Sequence, residues 1–278
     1  MKVNMLEVLQ VETTNRCNAR CIFCAHGRIE KHGTMPDRLY SKILREACKL
    51  DPHPGTFIPM LTGEPFLDPQ IVDRIKEARA ALPATEIHLY TNGSLLTREI
   101  VRQLAEVPNF RLNISANGAS PETRRRLTGL DDYENVAEMI DYVDALQIPH
   151  TVSLVQHPSI TEEEEEAFNH TWGQVTSSSS SRTPYVFQHL NFAGLTCICD
   201  ENNFSRCIHA TSHMTVLWDG RVNLCCMDPL GRAFFGDLNH ETVAEVWYSE
   251  GRQHYVTMHE AGRGTECEVC RDCNIFSI

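Results

Sequence analysis

Three closely spaced cysteines are the residues whose types and positions most directly indicate chemistry: Cys17, Cys21 and Cys24. Three residues separate the first pair, two separate the second, and Phe23 stands directly before the last cysteine. A zinc knuckle is the alternative interpretation, but a structural zinc site takes four ligands, usually including cysteines two residues apart. Three thiolates can instead hold three irons of a cubane cluster and leave the fourth iron open to a small chelating molecule.

A second set of four cysteines lies near the end of the chain, at Cys207, Cys225, Cys267 and Cys270. Asp219-Gly220 separates two alternating apolar runs within residues 214–226, which predicts a two-residue hairpin that returns Cys225 beside Cys207. We expect all four thiols to converge at the base of this hairpin. Four thiolates saturate either a zinc ion or a [4Fe–4S] cluster, so both remain open at this point.

The composition favours a globular enzyme in a reducing compartment. The chain has 278 residues, of which 42% are hydrophobic, enough to bury a sizeable core. It contains no run of eighteen apolar residues and no charged-then-apolar leader, so we expect no membrane partner and a cytoplasmic location. In such a location the twelve cysteines serve metals or chemistry more often than disulfides. A net charge of −12 argues against nucleic acid as a partner.

These cysteines must be positioned by regular elements, and residues up to about 190 alternate between two periodicities. Strands are predicted over residues 5–12, 56–61, 86–90, 110–115, 150–155 and 185–190. Helices are predicted between them, over residues 36–50, 69–82, 97–107, 133–146 and 161–175. The fold class is therefore α/β, a partial (β/α)6 barrel of the TIM type, with reactive groups on loops after the strand carboxyl ends.

Beyond residue 190 the pattern changes. Residues 214–226 predict the hairpin, and a helix is predicted over residues 241–258. We therefore divide the chain into a barrel, residues 1–190, and a small cysteine-rich module of hairpin and helix, residues 191–278.

The first cysteine set resembles the signature of the radical S-adenosylmethionine (radical SAM) superfamily, including an aromatic residue at the position of Phe23. The segment TGEP, which begins with Thr62, Gly63 and Glu64, resembles the family's glycine-glutamate motif, whose backbone holds the amino group of SAM. Further cofactor contacts implied by the resemblance are Asn92, Ser115 and Asn117. Each of these residues has an alternative role in a simple turn. The family's adenine motif on the fifth strand is not recognisable.

The second cysteine set resembles the auxiliary-cluster module called SPASM or, in its shorter single-cluster form, twitch. The tail lacks the spacings for two auxiliary clusters, so the twitch form is preferred. The resemblance implies two [4Fe–4S] clusters, one that binds SAM and one auxiliary, together with SAM itself. The short architecture resembles that of the radical SAM aminocyclitol dehydrogenase of butirosin biosynthesis.

Cys226 is a candidate catalytic residue. In a two-residue hairpin neighbouring side chains alternate faces, so we expect Cys226 to point away from Cys225. Two roles remain open: a thiol that donates a hydrogen atom to the substrate, or a packed core residue. Cys197 and Cys199 either cap the substrate pocket or are incidental, and Cys273 is expected to be a spare thiol near the auxiliary cluster.

The resemblance implies that an external one-electron reductant, of the flavodoxin or ferredoxin type, drives cleavage of SAM to a 5′-deoxyadenosyl radical. This radical takes hydrogen from a C–H bond of the substrate. We expect a small polar substrate, a sugar or aminocyclitol of a natural-product pathway, with dehydrogenation or epimerisation as the outcome. One alternative is a maturase that epimerises or cross-links a ribosomal peptide. The other is a non-catalytic zinc or iron–sulfur scaffold.

Overall fold

One nine-stranded sheet runs through the described part of the protein. The computed structural model describes residues 5–173, 182–188, 190–196 and 207–274. The strand order is β6-β5-β4-β3-β2-β1-β7-β8-β9. Strands β1 to β6 are parallel neighbours, β7 pairs in parallel with β1, and β8 and β9 continue antiparallel. The module therefore extends the sheet of the barrel.

The strands are β1 (Val8–Val11), β2 (Thr56–Ile58), β3 (Glu86–Thr91), β4 (Phe110–Ile114), β5 (His150–Gln156), β6 (Arg182–Gln188), β7 (His213–Val216), β8 (Arg221–Asn223) and β9 (Phe234–Asp237). The helices up to β6 are α1 (Asp37–Ala47), α2 (Ile71–Ala81), α3 (Arg98–Ala105), α4 (Pro121–Thr128), α5 (Tyr133–Ala145) and α6 (Glu162–Gly173). The helices of the module are α7 (Ile208–Ser212), α8 (Val243–Trp247), α9 (Glu250–Glu260) and α10 (Glu268–Arg271).

The predicted fold class is confirmed, and the six predicted barrel strands and five predicted helices are all present. The sequence analysis missed helix α4, which Ser120 caps by accepting from the Thr123 N–H. It also missed β9 and the short helices α7 and α10. The helix predicted over residues 241–258 is two helices, because Ser249 caps a new helix by accepting from the Arg252 N–H.

The hairpin between β7 and β8 differs from the prediction. Its loop has three residues, Trp218 to Gly220, because the Leu217 N–H donates to the Arg221 carbonyl and the Gly220 N–H donates to the Leu217 carbonyl. Gly220 has a φ of +95°, a conformation that glycine adopts at little cost, so the turn takes the three-residue form with a bulge. Residues 225 and 226 lie beyond the end of β8, so strict alternation between faces does not apply to them.

The barrel and the module meet along a tightly packed seam. A Cβ at Gly33 would lie 2.2 Å from the ring of Trp218, so only glycine leaves room for this indole against the barrel. On the other side of the seam, the Lys42 ammonium donates to the carbonyls of Leu238 at 3.0 Å and Glu241 at 2.6 Å. The module is therefore fixed against both the cysteine loop and α1.

No helix in the described ranges is long and apolar enough to cross a membrane.

Candidate functional site

Three half-buried thiols lie on the loop after β1, at Cys17, Cys21 and Cys24. The far end of α4 holds this loop in place. The Arg20 N–H donates to the Thr128 carbonyl at 2.8 Å, and the Ile22 N–H donates to the Leu127 carbonyl at 3.0 Å. The missed helix α4 is therefore part of the support of the thiol loop.

A cavity of about 190 Å³ opens beside the three thiols. It is lined by the ends of the parallel strands and the loops that follow them, as expected for a barrel of this kind. Six of the seven predicted cofactor-binding residues line it: Phe23, Thr62, Gly63, Asn92, Ser115 and Asn117. The structure therefore brings together residues that lie up to a hundred positions apart in the sequence.

Gly63 allows the loop after β2 to approach the thiol loop. A Cβ at this position would lie 2.2 Å from the carbonyl oxygen of Thr14 and 2.8 Å from that of Arg16. The next residue, Glu64, donates its N–H to the same Arg16 carbonyl at 2.7 Å. Any larger residue at position 63 would push the two loops apart.

Glu64 is the seventh predicted residue, and it lies behind the cavity wall, 2% exposed. Its carboxylate accepts from the Thr91 hydroxyl at 2.7 Å and from the Asn92 N–H at 2.8 Å. Burial, only partly offset by these bonds, raises the pKa of Glu64 to about 7. The side chain therefore joins the loop after β2 to the loop after β3.

Other polar side chains of the wall also bind neighbouring loops. The Thr62 hydroxyl donates to Glu12 at 2.6 Å, and the Asn92 amide donates to Asn18 at 2.8 Å. The amide oxygen of Asn117 accepts from the Val155 N–H at 3.1 Å. These contacts give each residue a role in shaping the wall.

Ser115 is less constrained. Among the described residues its hydroxyl has one contact, accepting from the Ser153 hydroxyl at 3.4 Å. Of the predicted polar contacts, the Ser115 hydroxyl is therefore the side-chain group best able to meet a ligand.

The four cysteines of the second set are all buried in a separate small core. This core also contains Leu224, Met227 and the fifth buried cysteine, Cys273. Cys267 and Cys270 form a hydrogen-bonded thiol pair, in which the bond from Cys270 lowers the pKa of Cys267 to about 6. The four cysteines of the second set therefore share one buried core, and Cys273 lies in the same core, where a spare thiol was expected. Cys197 and Cys199 lie outside the described residues.

Comparison with known protein families gives two matches. A model described as the radical SAM superfamily matches residues 11–170, and an iron–sulfur cluster-binding domain, SPASM, matches residues 207–274. This chain belongs to the radical SAM superfamily. Its cofactors are SAM and [4Fe–4S] clusters, and the zinc interpretation of the cysteines is superseded.

Solved radical SAM structures share the fold over nearly the whole chain. The crystal structure of BtrN in complex with AdoMet and 2-DOIA is 17% identical, with a TM-score of 0.66, and the match covers 98% of this chain and 94% of BtrN. Streptococcus suis SuiB bound to its precursor peptide SuiA is 14% identical, with a TM-score of 0.75, and the match covers 97% of this chain and 70% of SuiB.

Curated relatives match part of this radical SAM chain. A probable GTP 3′,8-cyclase of Thermococcus kodakarensis is 28% identical over 151 residues, 52% of this chain and 47% of the cyclase. A cofactor-modifying protein for a tungsten-containing oxidoreductase of Pyrococcus furiosus is 33% identical over 103 residues, 37% of this chain and 28% of the relative. The chain spans about half or less of the length of these relatives.

The thiol loop of this radical SAM protein fits a metal cluster. Burial raises the pKa of Cys17 to about 11 and, together with the neighbouring thiols, raises the pKa of Cys21 to about 12. Ionising Cys17 and Cys21 to thiolates is therefore unfavourable in free energy unless a cation lies close by. A cluster supplies that positive charge, and a cavity adjoins the three thiols.

Arg124 on α4 is a support of the site that the sequence analysis missed. Its side chain is fully buried and pairs with Asp132 at 2.6 Å. The guanidinium also donates to the carbonyls of Asn92 at 3.0 Å and Ala116 at 2.8 Å. One cation thus holds the loops after β3 and β4 in place. The sequence marks this helix with a start signal at Ser120 and Pro121 and a stop signal at Gly129.

Apolar residues of the cavity wall were also missed. Val155 on β5 and Phe187 on β6 line the cavity, as do Tyr90 and Phe192. Val155 stands on the fifth strand, where no adenine motif is recognisable. It is therefore the fifth-strand residue in position to contact a flat ring in the cavity.

Cys226 is half-buried beside a pair of histidines. Its Sγ lies 3.8 Å from His209 Nδ1, which in turn lies 3.0 Å from His213 Nδ1. Burial, followed by the nearby Cys207 thiol, raises the pKa of Cys226 to about 12, so the thiol is neutral at physiological pH. Cys226 does not line the cavity. Cys226 is nevertheless near the cavity. Burial raises the pKa of Tyr90, which lines the cavity, and the Cys226 thiol is close enough to contribute to this rise.

Proposed function

We propose that this radical SAM enzyme takes a hydrogen atom from a C–H bond of a small polar substrate, a sugar or aminocyclitol, and so dehydrogenates or epimerises it. The observation that carries the proposal is the cavity, which adjoins the three thiols and is lined by both polar and apolar residues. The end-to-end match to BtrN, a structure solved with AdoMet and 2-DOIA, also favours a small substrate.

The residues of the site have distinct proposed roles. Cys17, Cys21 and Cys24 would hold the first cluster, and Phe23 would pack beside it. The loop of Thr62, Gly63 and Glu64 would hold the amino group of SAM through its backbone. Asn92, Ser115 and Asn117 would contact its ribose and carboxylate.

When bound there, the cluster and SAM would supply the 5′-deoxyadenosyl radical that takes hydrogen from the substrate carbon. The part of the protein is to exclude water and hold one C–H bond in place. Val155 and Phe187, which line the cavity, would serve the first task.

The second cysteine set, Cys207, Cys225, Cys267 and Cys270, would hold one auxiliary cluster. Dehydrogenation removes a second proton and a second electron from the substrate, and a buried redox centre suits an electron acceptor. In epimerisation the Cys226 S–H would return a hydrogen atom to the opposite face of the carbon. The resulting thiyl radical would then regain one electron from the external reductant and one proton from the solvent.

A peptide substrate is the second candidate, since the SuiB structure bound to its precursor peptide has the same fold at a TM-score of 0.75.

Cyclisation of GTP is not proposed. The cavity has no Lys or Arg in its described lining to bind a triphosphate. The thiols also require reduced surroundings, which favours the cytoplasm, and the negative net charge disfavours nucleic acid.

The proposal is tested by anaerobic incubation of cluster-loaded protein with SAM, dithionite and a panel of sugars, aminocyclitols and peptides. 5′-Deoxyadenosine measures cofactor cleavage, and mass spectrometry measures the product. A product lighter by two hydrogens identifies dehydrogenation, and one of equal mass with solvent deuterium identifies epimerisation. Turnover of peptides alone would overturn the small-substrate proposal.

A further inference from the structure

Three aromatic side chains lie in or beside the cavity next to the thiols: Tyr90 on β3, and Tyr185 and Phe187 on β6. We call these three residues the aromatic surface. The rings of Tyr185 and Phe187 are nearly parallel, with 10° between their planes and 6.0 Å between their centroids. Tyr185 leaves 56% of its surface exposed, but the phenyl ring beside it restricts its orientation. An exposed ring that is already restricted loses little conformational freedom when a ligand binds it.

Tyr185 and Phe187 share the face of the sheet that forms the cavity wall. They are two residues apart on one strand, so their side chains point to the same side. Phe187 pairs with Val155 on β5, and both line the cavity. Tyr185 pairs with Ser153, whose hydroxyl donates to the Ser115 hydroxyl of the cavity wall at 3.4 Å. Tyr185 therefore continues the cavity wall beyond Phe187.

Tyr90 approaches Tyr185 from the other side of the cavity wall, on β3. It lines the cavity and is 37% exposed. Burial is the main cause of the raised pKa of Tyr90, and Tyr185 is close enough to contribute to the rise. The aromatic surface thus combines ring faces with two tyrosine hydroxyls that lie near each other.

The cavity offers a ligand no charged partner. Its described lining contains no Lys, Arg, His, Asp or Glu. A substrate held here is therefore recognised by ring faces, hydroxyls and amides, and not by ion pairs. The face of an aromatic ring is electron-rich and attracts hydrogens that carry a partial positive charge. The axial C–H groups of a sugar or cyclitol ring are hydrogens of this kind, because each carbon also carries an oxygen.

We infer that the aromatic surface binds the axial C–H face of a sugar or cyclitol ring whose hydroxyls are equatorial. The inference rests on the proposed function and adds a stereochemical preference to it. Tyr185 and Phe187 contact the face of the substrate ring, and the tyrosine hydroxyls bond to the hydroxyls around its rim. A ring with an axial hydroxyl on each face is bound weakly, because the oxygen separates the ring carbons from the aromatic face.

The test uses two uncharged stereoisomers as probes. All hydroxyls of scyllo-inositol are equatorial, whereas chiro-inositol has an axial hydroxyl on each face. Binding is measured by anaerobic calorimetry on cluster-loaded protein with saturating SAM and no reductant, so that turnover does not contribute. The wild type should bind scyllo-inositol about fivefold more tightly than chiro-inositol. Tyr185→Leu should lose this preference through weaker binding of scyllo-inositol, and Tyr185→Phe, which keeps the ring, should retain it.

The matched control is Tyr248→Leu, which removes a tyrosine that is 51% exposed and lies directly after α8. It should bind both isomers as the wild type does. The dissociation constant for SAM, measured by equilibrium dialysis, should be the same in all four proteins, because Tyr185 does not line the cavity itself. This second measurement separates a lost substrate contact from a distorted site.

Equal binding of the two isomers by the wild type would overturn the inference, as would an unchanged preference in Tyr185→Leu. Failure of the wild type to bind either isomer, or binding of the flat ring of indole in their place, would also overturn it. If the preference were present but no sugar or aminocyclitol were converted, the proposed function would be at fault, and not the aromatic surface.

Discussion

The two cysteine sets differ in how the fold holds them. The first set is half-buried on one continuous loop, and all three thiols line a cavity. The second set is buried, and its members come from separate segments packed with Leu224 and Met227. A half-buried set with three thiols beside a cavity suits a centre that exchanges ligands and electrons, and a buried set with four suits a centre whose coordination is complete.

The largest expected effect is on the first set. Replacing Cys17, Cys21 and Cys24 together with Ala should lower the iron content from about eight per chain to about four and abolish formation of 5′-deoxyadenosine. The control is Cys48→Ala, which removes a half-buried thiol after α1 and should change neither the iron content nor the formation of 5′-deoxyadenosine. Iron analysis and chromatography measure the outcome. Unchanged iron in the triple variant would show that the two sets do not hold separate clusters.

The second set should separate cofactor cleavage from product formation. Cys225→Ala should remove about four irons and abolish product, while slow cleavage of SAM continues. Cys273→Ala is the matched control, because Cys273 is equally buried but lies outside the proposed set of ligands. Loss of iron in the Cys273 variant would instead make it a ligand.

Cys226→Ser tests whether a thiol next to the enclosed set takes part in the reaction. For an epimerase, 5′-deoxyadenosine should still form and the epimer should nearly disappear, because serine has no weak S–H bond. Wild-type product made in deuterated water should carry one deuterium at the inverted carbon. For a dehydrogenase the substitution should have little effect, and an epimerase unaffected by it would exclude the thiol role.

Arg124→Lys tests how strongly the loops of the open site depend on their buried support. Lysine has no guanidinium group and cannot donate to the carbonyls of both loops at once. The dissociation constant for SAM should therefore rise about tenfold. The control is Arg125→Lys, which changes an exposed ion pair on the same helix and should leave the dissociation constant for SAM unchanged. Equilibrium dialysis of cluster-loaded protein measures both, and equal affinities would limit Arg124 to a general structural role.

The smallest effect concerns the pH dependence of stability at Glu64. Its pKa rises from 4.5 to about 7 on folding, so the folded state holds a proton that the unfolded chain releases. This contribution to stability is present at low pH and is lost as the pH rises through about 7. Glu64→Gln should therefore flatten the decline in the free energy of unfolding over this range, measured with urea under anaerobic conditions. The exposed Glu122→Gln should not alter the slope.

The sequence predicted best what is local. The spacing of Cys17, Cys21 and Cys24 and the alternation of strands and helices depend on near neighbours, and both gave the correct fold class. The prediction of a two-residue loop at Asp219 and Gly220 was wrong, because a dipeptide signal does not distinguish such a loop from a three-residue loop with a bulge. The role of Arg124 was hidden because two of its partners are backbone carbonyls from distant loops, which the amino-acid sequence does not mark.

The parallel pairing of β7 with β1 has a consequence for how the chain can be divided. A protein ending at residue 190 would lose β7 and leave the backbone groups of β1 without partners along one side. Val8 and Leu9 would then form part of an open sheet edge, which recruits strands from other molecules. We expect such a truncated barrel to aggregate, even though every element of the barrel itself would remain.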